Sequence, residues 1–180
     1  MFRFCDELGI DKKELLTTYV CKKCKEYTVA PFQGNDHQCP FCKAEKSFSN
    51  IDIQHGVDEE QLNEIYNIAD CMVHGADAAG LEITCVEGLY AGLPSATNPY
   101  AALEMFTSQP FVHSIDCTFA TQHGTQFKRA VLNPNSIASF LHSIYSKTPM
   151  DIDKIARQGR DWAVKQFSPE VVCKQWESIS

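Results

Sequence analysis

The chain has no apolar run long enough to span a bilayer, and its N-terminus lacks the layout of a signal peptide. No membrane span is expected, and the expected compartment is the cytoplasm. Positive charge is not in excess either. The net charge is −7, and a nucleic-acid partner needs a basic face to neutralise its phosphates, so the balance argues against that class. Internal repeats and low-complexity tracts are absent as well. What remains is 180 residues, about one domain by length. At 44% hydrophobic and 22% charged, the composition is that of an ordinary soluble globular protein.

Cysteine, by contrast, is plentiful. There are nine, an odd number, and Cys5, Cys71, Cys85, Cys117 and Cys173 are scattered, several in apolar stretches. Buried free thiols in a reducing compartment fit this better than a secreted disulfide framework. The other four are grouped. Cys21-Lys-Lys-Cys24 is followed, after fourteen residues, by Cys39-Pro-Phe-Cys42. Each CxxC turn offers two thiolates, and Zn²⁺ takes four such ligands in a tetrahedron, so Cys21, Cys24, Cys39 and Cys42 are read as a structural zinc site. Two disulfides or four unrelated thiols are the plainer alternatives. His37 could compete as a ligand but is expected to be a solvated loop residue.

Residues 21–46 are polar, contain Gly34, Asn35 and two prolines, and hold too few large apolar side chains for a core. Metal is expected to supply the missing stability, as in a small ribbon. Charge divides at the same place. Residues 11–50 carry seven Lys against five Asp and Glu, whereas 51–180 carry eight Lys and Arg against sixteen Asp and Glu. The slightly basic ribbon keeps some nucleic-acid contact open.

Around the ribbon, the pattern is that of alternating elements. A helix end over Phe4 to Leu8, stopped by Gly9, and a short strand near Leu15–Val20 come before it. Asp58 is placed to cap a helix, with Gln61 in capping-box position, and Leu62, Ile65, Tyr66 and Ala69 follow helical spacing. Cys71 to His74 reads as a short buried strand. A glycine-containing loop leads into a helix from about Ile83 to Ala91, with Ile83, Val86, Leu89 and Tyr90 inward. Gly92 and Pro94 stop it, and Pro94 to Thr97 forms a brief strand. The stretch from Phe106 to Arg129 is irregular. Ser136 is placed to cap a helix carrying Ile137, Phe140, Leu141, Ile144 and Tyr145. A helix over about 151–166 and one starting at Ser168-Pro169, with Val172, Trp176 and Ile179 inward, close the chain. Trp162 and Trp176 are expected to be core anchors. The alternation from 58 to 97 indicates an α/β fold with a parallel sheet.

In such folds ligands bind beyond the carboxyl ends of the strands, and a helix N-terminus there suits a phosphate. Gly80 would let a ligand approach the backbone, while Leu81, Glu82, Ile83 and Thr84 would offer amides. Glu87 could accept hydrogen bonds from a vicinal diol such as a ribose, or could be a plain surface glutamate stabilised by the helix dipole.

The segment Leu62 to Asn98 resembles the C-terminal half of family 4 retaining glycosyltransferases of the GT-B fold. Tyr66-Asn-Ile-Ala69-Asp70 matches a helix end of the form Tyr-x-x-Ala-Asp. Cys71 to Gly75 matches the following strand and loop, and Glu87-Gly-Leu-Tyr-Ala-Gly92-Leu93-Pro94 matches Glu-Ala-x-Ala-x-Gly-x-Pro. Trp162, Phe167-Ser168 and Trp176 resemble the closing helices. The likeness covers roughly 55–180, with a weaker echo in Glu7-Leu8-Gly9-Ile10.

The resemblance implies a Rossmann-like, partial GT-B C-terminal domain over 1–20 and 47–180, with a zinc ribbon inserted at 21–46. Its sheet would lack the two strands that begin such a domain. The resemblance also implies an enzyme that transfers a sugar from a nucleotide-diphosphate donor. Glu87 would bind the ribose hydroxyls, and Gly80, Leu81, Glu82, Ile83 and Thr84 would receive the diphosphate. The family's first glutamate falls at Ala79, a departure that leaves the sugar end altered, impaired, or served by Asp77 or Glu82. No family role is carried onto Glu104, and no catalytic residue is assigned. The phosphate-clamping bases and the acceptor-binding N-terminal half are not in this chain, so activity is not expected from it alone. The acceptor could be a glycan, lipid or protein. The competing expectation is a non-catalytic, degenerate transferase-fold module whose ribbon docks protein or nucleic acid.

Other constellations are weaker. Glu82 and Glu87 sit too close along one helix end to face each other across a glycosidic bond. Nothing around Cys85 or Cys117 with His113 or His123 favours a thiol nucleophile over a structural thiol. His74, at a strand end, is either pocket-lining or a satisfied strand-end histidine.

Overall fold

A computed structural model describes residues 7–52, 54–78 and 80–178. Backbone contacts divide the chain into two compact units, Met1–Ile65 and Tyr66–Ser180.

The first unit is a three-stranded antiparallel sheet. Strands β1 (Leu16–Cys21), β2 (Tyr27–Pro31) and β3 (Phe48–Asn50) lie in the order β2-β1-β3. β1 reads Leu-Thr-Thr-Tyr-Val-Cys, whose β-branched and aromatic residues suit a pleated surface. The strand expected near 15–20 is thus hydrogen bonded within the cysteine-bearing sheet, pairing Thr18 with Val29 and Val20 with Ser49. The unit's core is small. Tyr19 stacks on Phe48 with ring centroids 5.5 Å apart, and both pack beside Cys21 and Cys39. The helix end expected before Gly9 falls largely outside the described residues; Gly9 itself has φ +68°.

Helix α1 (Glu59–Asn67) begins as its sequence indicates. The Gln61 amide donates to Asp58 Oδ1 at 2.9 Å, and the Asp58 amide donates back to Gln61 Oε1 at 3.3 Å.

The second unit holds a parallel sheet of β4 (Met72–His74), β5 (Ser95–Thr97) and β6 (Val112–Ser114), in the order β4-β5-β6. Helix α2 (Ile83–Tyr90) connects the first two strands and α3 (Glu104–Thr107) precedes the third. Gly92, at φ +77°, ends α2 with paired bonds from the Leu93 amide to the Gly88 carbonyl and from the Gly92 amide to the Leu89 carbonyl. The stretch that sequence left irregular then forms an antiparallel hairpin, β7 (Cys117–Thr121) and β8 (Lys128–Leu132). Helices α4 (Pro134–Tyr145), α5 (Pro149–Phe167) and α6 (Pro169–Glu177) follow.

Each closing helix starts on a capping side chain followed by proline. Asn133, Thr148 and Ser168 accept from the amides of Asn135, Asp151 and Val171. The cap expected at Ser136 is therefore three residues too late. Ser136 is buried inside α4, and its hydroxyl accepts from the Asp116 amide at 3.1 Å.

Two apolar clusters flank the sheet. One gathers Cys85, Leu89, Leu103, Phe106, Val112 and Ala163, with Trp162 packed against Phe106, Phe111 and Phe167. The other gathers Ala96, Ile115 and Phe140. Helical spacing misplaced two large side chains. Ile83 is 64% exposed because it opens α2 at its free end, and Trp176 is 71% exposed on a last helix with no buried residue; Ile179 lies outside the described residues. β4 was expected to be buried, but it is an edge strand among the described residues, with Val73 38% exposed. No described helix is long and apolar enough to cross a membrane.

Candidate metal centre and candidate ligand edge

The two CxxC turns are copies of one local structure. In the first, the Cys24 amide points at Cys21 Sγ (3.4 Å), the Lys25 amide bonds the Cys21 carbonyl (3.0 Å), and the Cys21 amide bonds the Glu26 carbonyl (2.9 Å). In the second, Cys42 points at Cys39 Sγ (3.5 Å), Lys43 bonds the Cys39 carbonyl (3.1 Å), and Cys39 bonds the Ala44 carbonyl (3.0 Å). Lys25 and Lys43 both take left-handed φ, 66° and 60°. That conformation turns the chain sharply after the second cysteine, and the thiols of each turn face those of the other.

The four ligand atoms lie within 4.8 Å of one another. Cys21 Sγ to Cys42 Sγ and Cys24 Sγ to Cys39 Sγ are each 3.7 Å. A tetrahedron with metal–sulfur bonds of about 2.3 Å puts sulfurs about 3.8 Å apart, so the donor set fits one tetrahedral soft ion. Electrostatics favour a cation as well. Burial raises the Cys21 thiol, but Ser47 and the Cys24 and Lys23 amides outweigh it and lower it to about 5. The Glu26 amide lowers Cys24, yet burial and the sulfurs of Cys21, Cys42 and Cys39 drive it up to about 12. The amide donors to Cys21 are fixed by the turn, and the opposed shift of Cys24 reflects its crowding by the other three sulfurs, which a cation would relieve. His37 stands apart from the cluster. Its Nε2 lies 3.0 Å from the Gln33 carbonyl and its ring meets Tyr19 edge-on.

The expected donor residues sit at the carboxyl end of β4. The loop from Gly75 leads into α2, whose N-cap, Glu82, makes no side-chain capping bond. The Glu82 carboxylate turns instead toward the strand end, where its Oε2 is 3.3 Å from His74 Nε2. The contact is ionic in distance but lacks hydrogen-bond alignment, for His74 Nε2 is otherwise buried without a partner. His74 Nδ1 lies 3.1 Å from Thr84 Oγ1. His74, Glu82 and Thr84 therefore form one cluster, while Leu81 and Ile83 present exposed apolar side chains beside it.

Glu87 is one turn further on and faces a different neighbour. Its Oε2 accepts from the Tyr66 hydroxyl at 2.9 Å. Burial first, then Glu87, push the Tyr66 hydroxyl well above its usual range. The position of the family's first glutamate, Ala79, lies outside the described residues.

Family models, curated proteins and solved structures give no match to this chain.

Sequence reasoning overlooked Asn98. Fully buried beyond the end of β5, its Oδ1 accepts from the Ala76 amide and its Nδ2 donates to the Ala76 carbonyl, each at 3.0 Å. It fixes the first bend of the loop that follows β4. A polar residue directly after a buried strand was the available signal. Cys85 is a buried thiol that burial pushes up to about 12, which suits a structural residue and not a nucleophile.

Proposed function

We propose that this chain is the donor-binding part of a nucleotide-sugar-dependent glycosyltransferase, of the retaining GT-B type. The observation that carries the reading is the uncapped start of α2 directly beyond the carboxyl end of parallel strand β4. Free amides and the helix dipole at that place suit a diphosphate. The amides of Gly80, Leu81, Glu82, Ile83 and Thr84 would receive it, and Glu87 would take the ribose hydroxyls. The sequence likeness over Leu62 to Asn98 supplies the reaction class. Catalysis in this reading needs the acceptor-binding half and the phosphate-clamping bases from outside this chain.

The four-cysteine centre holds Zn²⁺ in the same reading, in a structural role, and the reducing cytoplasm is the compartment that keeps its thiols available. A non-catalytic module is the second reading. It is favoured by the Tyr66–Glu87 bond, which occupies a carboxylate oxygen that the ribose would use. Titration calorimetry against nucleoside diphosphates and their sugars decides between them. The transferase reading expects micromolar to millimolar binding of one base, lost in Glu87→Ala. Binding of none by a protein containing the whole C-terminal half, or binding indifferent to Glu87→Ala, sinks the donor-site assignment.

A further inference from the structure

The sulfurs of the four-cysteine centre differ in what can reach them. Cys21 and Cys39 are buried, Cys24 is half-buried and Cys42 is exposed. Each buried sulfur has a more accessible one across the centre. Cys21 Sγ lies 3.7 Å from Cys42 Sγ, and Cys39 Sγ lies 3.7 Å from Cys24 Sγ. Both contacts run between the two turns, and the first joins the end of β1 to the loop before β3. Within each turn the first sulfur is held by backbone amides. Those of Lys23 and Cys24 point at Cys21 Sγ at 3.3 and 3.4 Å, and that of Cys42 points at Cys39 Sγ at 3.5 Å.

Exposure decides where an oxidant arrives, and proximity decides which thiol answers it. The other exposed cysteine among the described residues, Cys173, belongs to the second unit. Cys42 is therefore the entry point to the centre, with Cys21 in contact behind it.

We propose that Cys42 is a site of oxidation by hydroperoxides and that Cys21 is the thiol that resolves it, closing a Cys21–Cys42 disulfide with loss of the metal ion. The sulfur of Cys42 attacks one oxygen of hydrogen peroxide. The O–O bond breaks, water leaves, and a sulfenic acid remains. Cys21 Sγ then attacks that sulfur. The S–S bond forms, the S–O bond breaks, and the oxygen leaves with the thiol proton as a second water. The two thiols lose two electrons in all, and the peroxide is reduced to two waters. The sulfurs close from 3.7 Å to the disulfide length of about 2.0 Å. Two of the four ligands are then lost, so the ion leaves. Cys24 and Cys39, in the same relation to each other, can repeat the step with a second peroxide.

The pairing has a structural consequence. A disulfide across the turns ties the same two segments that the ion ties, so the small sheet stays closed after the ion has gone. A disulfide inside either turn leaves the two turns unlinked. This inference rests on the metal-centre reading and adds an oxidation chemistry to it.

Peroxide titration of the full chain tests it, in a Cys173→Ser background that removes the competing exposed thiol. Dimedone, which traps sulfenic acids, should label Cys42 first. Non-reducing peptide mapping, with fragment ions to separate Cys39 from Cys42, should find Cys21 joined to Cys42. That product should appear in step with loss of the ion to a chromogenic chelator. The oxidised, metal-free protein should keep the β1–β3 amide protection that chelation of the reduced protein removes, and dithiothreitol with zinc should reverse the change. A first disulfide within a turn, Cys21–Cys24 or Cys39–Cys42, overturns the pairing. Release of the ion by peroxide with Cys42 unmodified overturns the site. A protein isolated without metal removes the metal-centre reading, and the same peptide map on that protein still decides the pairing by the same results.

Discussion

The Tyr66 hydroxyl donates to Glu87 Oε2 at 2.9 Å, tying the last turn of α1 to the second turn of α2. Removing the hydroxyl leaves a part-buried carboxylate without this donor. Tyr66→Phe is expected to cost about 1–3 kcal/mol in urea unfolding. It also tests linkage. The folded-state hydroxyl is held above its unfolded value near 10, so its contribution is fully present below pH 10 and is lost as pH rises beyond that. Stability of the wild type should fall above pH 10 more steeply than that of Tyr66→Phe. Parallel curves would show that the bond is not a stability element.

The cysteine centre predicts its own stoichiometry. Elemental analysis should find one metal ion per chain, and the all-thiolate donor set of the proposed centre predicts zinc. Chelation should remove amide protection from β1 through β3, because the core around Tyr19 and Phe48 is too small to persist without an ion. Cys21→Ser, at a buried thiol, should unfold the ribbon. Unchanged protection in a metal-free sample would refute the claim.

Asn98 makes a sharper mutational case than any residue singled out by motif. Asn98→Ala orphans both the amide and the carbonyl of Ala76, at roughly 1–3 kcal/mol for each group. Asn98→Asp keeps the acceptor alone and should fall between. Thermal melts of the two variants and wild type give the ranking. Equal melts would mean that water replaces the side chain.

The two tryptophans should behave oppositely. Trp162 sits among Phe106, Phe111 and Phe167, so Trp162→Ala should cost about 3–5 kcal/mol. Trp176→Ala removes a largely exposed ring and should stay within about 0.5 kcal/mol. A large loss at Trp176 would indicate a contact surface on α6.

These contrasts mark how far the sequence could be read. Caps and stops were legible where they depend on neighbours in sequence: Asp58 with Gln61, Gly92 before Pro94, Ser168 before Pro169. The cysteine quartet was legible for the same reason, since a CxxC turn is a local structure. Helical spacing failed at Trp176 and Ile83, because it gives the face of a helix but not whether anything packs against that face. The hairpin at 117–132 was not visible, because part of what holds it, Tyr100 on Phe119 and the Asp77 carbonyl on the Ala130 amide, is distant in sequence. Asn98 escaped for a related reason: its partner lies 22 positions away along the chain.

β4 has a consequence for handling. Its three residues pair with β5 on one side, and among the described residues its other side has no strand. Val73 therefore turns an N–H and a carbonyl outward beside an exposed apolar side chain. Such an edge invites another backbone to add to it, and natural edges limit the hazard by being short. Here three residues offer an added backbone few rungs, so on crowding or mild heating the sheet margin is a weak seed for self-association.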